Sequence, residues 1–77
     1  MKIKVKLHSC FVFLSGDDNG IEELEYYDKM DISKIIEHYK IKSEYIAAIT
    51  INKKIVDKDY IVKENDFIEI LPIFGGG

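Results

Sequence analysis

Seventy-seven residues suit a single domain, and 47% hydrophobic residues can fill a core that surface-to-volume scaling leaves marginal. Fourteen acidic residues stand against eleven lysines and no arginine, for a net charge of −3. Without the fork that reads phosphates and base edges, nucleic-acid binding is disfavoured, and a basic protein surface is the better-matched partner. Cys10 is the only cysteine. It excludes an internal disulfide and, within the apolar stretch Cys10-Phe11-Val12-Phe13-Leu14, is expected to be a small buried hydrophobe. The alternation at Met1–Lys6 is unlike a signal peptide, and no run approaches the ~18 apolar residues of a membrane helix. A soluble, cytoplasmic protein is expected.

In chain order, Ile3, Val5 and Leu7 alternate with Lys2, Lys4, Lys6 and His8, the period-two pattern of a half-buried strand. Ser15–Gly20 is a turn cluster. Ile21–Tyr27 reads as a second strand in a hairpin with a long connection, with Leu24 and Tyr26 on one face and Glu23 and Glu25 on the other. Asp31 is placed as a helix N-cap, ahead of the apolar stripe Ile32, Ile35, Ile36 and Tyr39. The helix should end near Lys40. Ile46–Ile51 reads as a third strand, turning at Asn52-Lys53 into a short strand Lys54–Val56. Asn65 can take the left-handed conformation in the Lys63–Asp66 turn. Phe67–Leu71 is the last strand; Pro72 has no amide hydrogen to donate, so pairing should stop there or that strand edge should face solvent. The order β-β-α-β-β-β predicts an α+β β-grasp fold, a mixed sheet of four to five strands packed on one helix.

Three of the five glycines are Gly75, Gly76 and Gly77, set directly against the last strand. Residues 1–74 are read as the domain and 75–77 as a flexible tail. Three extended residues reach roughly 10 Å. The only chemistry they offer is an α-carboxylate, ionised at neutral pH with a pKa of about 3.3–3.7. A slim arm with a carboxylate at its tip suits insertion into another protein's active site.

On these residues the chain resembles the ThiS/MoaD family of ubiquitin-like sulfur carriers. Ile51-Asn52-Lys53 is similar to the family's strand-end turn, Ile55–Asp59 to the stretch after it, and Lys63–Ile68 to its lysine-aspartate-glycine-aspartate turn and following strand. Ile70–Gly77 is similar to its terminal strand and diglycine end. Lys53 and Asn65 stand where the family commonly has glycine. Pro72 is more like the molybdopterin branch, whereas a triple-glycine end is frequent in the thiamine branch.

The resemblance implies a carrier, not an enzyme. Its terminal glycine, here Gly77, would be adenylated by a ubiquitin-activating-enzyme-like adenylyltransferase using ATP and magnesium, with no cofactor bound to the carrier itself. Sulfur from a persulfide would then displace AMP and leave a thiocarboxylate. The sulfur would serve a synthase in cofactor biosynthesis, either the molybdopterin synthase large subunit or thiazole synthase. Gly75 and Gly76 would thread the partner's channel, and Pro72, Ile73 and Phe74 would form an exposed apolar patch for docking. Two rival readings share the fold: a ubiquitin-like modifier joined to lysine through the same tail, and a β-grasp interaction module. His8 and His38 are too isolated for a metal site, and the acidic run Glu22, Glu23 and Glu25 reads as a solvated strand face, with docking of a basic partner as the alternative.

Overall fold

The computed structural model describes residues 2–25, 27 and 29–73. Its strands are β1 (Lys2–Leu7), β2 (Ile21–Glu25), β3 (Ile46–Ile51), β4 (Lys54–Ile55) and β5 (Phe67–Pro72), with one α-helix, α1 (Ile32–Tyr39), between β2 and β3. The sheet order is β2-β1-β5-β3-β4. β1 and β5 run parallel at its centre, and the other neighbours are antiparallel. This is the expected β-grasp.

The alternation in β1 works as read: Ile3, Val5 and Leu7 are buried while Lys2 and Lys4 are exposed. The following apolar stretch does not continue the strand. Ser9–Ser15 winds into a 3-10 segment, ended by Gly16 in the left-handed region. A threefold winding turns few of its side chains inward. Phe11 alone is buried, and Cys10, expected inside, is exposed. Gly20 brings the chain back at a φ of 76°; its carbonyl accepts from the Leu7 amide at 2.7 Å, and a Cβ there would collide with the Leu7 carbonyl oxygen. Only glycine meets both conditions.

β2 ends at Glu25, short of the expected Tyr27; Tyr26 lies outside the described residues. The acidic run is split by the strand's alternation. Glu23 and Glu25 are exposed, but Glu22 turns to the helix side and accepts a 2.7 Å hydrogen bond from the Tyr39 hydroxyl. Burial, and then the Glu22 carboxylate, push the Tyr39 phenol well above its usual pKa.

Asp31 caps α1 as expected, accepting from the Lys34 amide at 3.2 Å and the Ser33 hydroxyl at 2.6 Å. Ile32, Ile35, Ile36 and Tyr39 are all buried against Ile3, Val5, Leu7, Ile49, Ile51, Ile68 and Ile70 of the sheet. Each fully buried isoleucine contributes roughly 1.5–3 kcal/mol. Lys40 closes the helix in the left-handed region, its amide donating to the Glu37 carbonyl.

The entry to β5 is clamped by side chains. Asn52, itself left-handed, donates its amide to the Phe67 carbonyl at 2.9 Å, and its Oδ1 accepts from the Phe67 amide at 3.0 Å. Its Nδ2 reaches Asp66, a buried carboxylate that also accepts from the Lys63 amide at 2.9 Å and the Tyr60 hydroxyl at 3.4 Å. Asn65 takes the left-handed conformation expected of it, with φ 71°.

The sheet face away from α1 carries Glu69, a residue only 7% exposed. Its carboxylate meets His8 Nε2 at 3.0 Å, Lys53 Nζ at 3.1 Å and Thr50 Oγ1 at 3.3 Å. Burial acts to raise this carboxyl, but the hydrogen bonds and charges of Lys53 and His8 outweigh it and hold the pKa below the ordinary value.

Two predictions follow from these clamps. Asn52→Ala removes one of Asp66's three donors and the brace on Phe67, and should cost about 2 kcal/mol, seen as a melting temperature lower by roughly 8–16 °C. Because the folded pKa of Glu69 is depressed, its contribution is present above the unfolded pKa and lost as pH falls through the folded one. Glu69→Gln should therefore flatten the acid limb of the stability curve, with a difference at neutral pH of about 1–2 kcal/mol, since Lys53 is largely solvated. Parallel acid limbs for the two proteins in urea titrations would refute this.

Candidate functional site

The last strand continues one residue further than the sequence reading placed it. Of the two outcomes open at Pro72, the stop in pairing is not met on the β3 side, where Pro72 sits opposite Ile46 and the Ile73 amide donates to the Tyr45 carbonyl at 3.0 Å, while the pairing with β1 ends earlier, at Leu7 opposite Ile70. The proline needs no partner for its nitrogen there, so the final rung passes to Ile73. Pro72 is buried, whereas Ile73 is 56% exposed. Of the three junction residues named for docking, Pro72 thus anchors the strand and Ile73 presents its side chain. Phe74 lies outside the described residues, as do Gly75, Gly76 and Gly77.

Ile73 borders an open, largely apolar groove of about 630 Å³. One wall is the 3-10 segment, where the Ser15 hydroxyl donates to the Val12 carbonyl at 2.8 Å and buried Phe11 roots the turn. That geometry holds Phe13 outward, 75% exposed. The other wall is the connection from α1 to β3. Ile41 is buried, and a turn closed by the Tyr45 amide on the Lys42 carbonyl leaves Tyr45 55% exposed. Phe13, Tyr45 and Ile73, distant in sequence, therefore line one hollow at the end of β5. An exposed apolar patch beside the chain's exit was expected, but the share of Phe13 and Tyr45 was not foreseen. The run Cys10–Leu14 was too uniformly apolar for its sequence to tell a buried residue from an exposed one.

Charge at this end differs from the average. Lys40, Lys42 and Glu44 border the groove, so its local balance is positive on a chain whose net charge is −3. Among the described residues, no group of three or more histidine, cysteine, aspartate and glutamate side chains could hold a metal ion. No described helix is long and apolar enough to cross a membrane.

The floor and wall of the groove should separate in mutants. Phe11→Ala should cost about 3 kcal/mol or more in thermal unfolding, as truncating a buried phenylalanine does. Phe13→Ser should stay within about 0.5 kcal/mol. Equal losses would mean that Phe13 packs into the core.

Among solved structures the chain is similar to a putative molybdopterin converting factor, subunit 1, from Pyrococcus furiosus. That match has 24% identity over 94% of this chain and 97% of that one, with a TM-score of 0.74. It is also similar to small archaeal modifier protein 1 from Haloferax volcanii, at 9% identity, 92% and 95% coverage and a TM-score of 0.74. A third similar structure comes from the protein–protein complex of subunits 1 and 2 of the molybdopterin-converting factor from Helicobacter pylori. It has 20% identity, full coverage of both chains and a TM-score of 0.65. At these identities the likeness establishes the fold, the ubiquitin-like β-grasp. No curated protein matches the chain in sequence. The model of the ThiS family matches residues 17–77, from the turn before β2 through the terminal glycines, and the chain belongs to that family.

Proposed function

We propose that this protein is a sulfur carrier whose Gly77 carboxylate is adenylated and converted to a thiocarboxylate, which then donates sulfur in molybdopterin or thiamine-thiazole biosynthesis. The observation that carries the reading is the family match, which runs through to Gly77. The chemistry needs little of the carrier itself. The carboxylate attacks the α-phosphate of ATP, held with magnesium by an adenylyltransferase, and pyrophosphate leaves. A persulfide sulfur then attacks the acyl carbon and AMP departs, leaving an acyl disulfide; a second thiol of the sulfur donor attacks the donor-side sulfur, forming a new disulfide and releasing the thiocarboxylate.

The fold's part is to deliver that carboxylate. Ordering each of Gly75, Gly76 and Gly77 in a narrow channel costs roughly 1–2 kcal/mol of backbone entropy. Contacts from the folded surface must offset that, and Ile73 stands at the junction with Phe74 next in the chain. The Helicobacter pylori complex, in which subunit 1 is bound to subunit 2, supports a synthase subunit as the second partner here. The Haloferax volcanii likeness favours one alternative, a modifier joined to lysine through the same tail. The two readings share activation and diverge only in the nucleophile that follows.

Incubated with its adenylating enzyme, ATP, magnesium and a sulfur donor, the intact chain should gain the mass of one oxygen-to-sulfur exchange at its C-terminus. Removing Gly76 and Gly77 should abolish the gain and leave the melting temperature unchanged. Unimpaired sulfur loading of the truncated chain would remove Gly77 from its role. Isopeptide adducts on lysines without any thiocarboxylate would select the modifier reading.

A further inference from the structure

The groove beside Ile73 has a floor, walls and a rim of different character. Phe11 and Ile41 close it below, and the exposed rings of Phe13 and Tyr45 stand at its sides. Lys40, Lys42 and Glu44, all exposed, also line it, and none of the ion pairs among the described residues engages either lysine. We propose that this groove docks an acidic segment of the activating partner that carries one large apolar anchor, an inference that rests on the sulfur-carrier reading above. The anchor would be desolvated between Phe13, Tyr45 and Ile73, as central apolar residues of an interface are. Carboxylates flanking it would meet Lys40 and Lys42, whose charges would set register and speed the encounter. A partner seated there would hold the strand end from which residue 74 departs.

Two other occupants fit less well. A second copy in an isologous dimer would bring the same lysines together around the symmetry axis, where they repel. A small molecule would stay wet on one side in so open a hollow, whereas ligand sites usually bury most of the ligand's surface.

The test uses the full-length, isotope-labelled chain, titrated by amide chemical shift with a short peptide carrying one phenylalanine between glutamates. A control peptide has lysine in place of each glutamate. The acidic peptide should move the amides of residues 10–14, 40–45 and 73. Lys42→Glu and Phe13→Ser should each raise its Kd roughly tenfold, with melting curves confirming that both variants fold. Shifts confined to other surfaces, equal binding of the lysine peptide, or dimerisation that Phe13→Ser abolishes would overturn the proposal. A parallel assay with the adenylating enzyme separates the two readings. If the wild-type chain is never adenylated, the carrier reading fails while the peptide result stands. If adenylation proceeds but Lys42→Glu leaves its KM unchanged, the docking assignment fails and the carrier reading survives.

Discussion

The parallel pairing of β1 with β5 is the constraint on which the rest of this fold depends. β5 is the last strand in sequence yet lies in the middle of the sheet, hydrogen-bonded to β1 on one side and β3 on the other. Ile68 and Ile70 are wholly buried on its helix side. A strand so placed cannot slip by one residue, because that would turn both isoleucines away from the core. Its entrance is held by the Asn52–Asp66 clamp and its exit by the Tyr45 carbonyl. The position of the strand end at Ile73 is therefore set by a strand paired on both sides.

On the sulfur-carrier proposal, that placement would separate two tasks that a short terminus could not perform alone. Glycines fit a narrow channel because they are bare, and for the same reason they carry almost no information about identity. On that proposal recognition would fall to side chains near the exit, and the fold gathers Phe13, Tyr45 and Ile73 there from three separate stretches of chain. The groove also reverses the sign of the local charge. An acidic protein presents lysines at the end from which its terminus emerges, so net charge alone misjudges what that end would attract.

Polar groups stabilise the same frame where hydrophobic contact does not reach. Glu69 ties the end of β1, the β3–β4 turn and β3 to the centre of β5 through His8, Lys53 and Thr50. On the helix side, the Tyr39 hydroxyl binds Glu22 and so fastens the end of α1 to the edge strand. In both places a carboxylate that would be costly to bury alone is satisfied by donors from other elements.

The order of elements, the helix with its Asp31 cap, the buried faces of β1 and α1, and the Asn52-Lys53 and Lys63–Asp66 turns are all legible in the amino-acid order. Those features depend on neighbours within a few residues: a period of two or 3.6, a capping oxygen, an asparagine that tolerates positive φ. The glycine terminus and its neighbouring turn were legible for the same reason, and they were sufficient to indicate the family. Long-range packing settles which members of Cys10–Leu14 face water, that Glu22 turns inward, that His8 meets a carboxylate 61 residues away, and that Phe13 and Tyr45 share a groove with Ile73. Each of these outcomes depends on which elements become neighbours. A continuous apolar run has no period to orient it, and a lone histidine or glutamate carries no mark of a distant partner. The 3-10 winding oriented the apolar run, α1 brought Tyr39 to Glu22, and the parallel β1–β5 register brought His8 to Glu69.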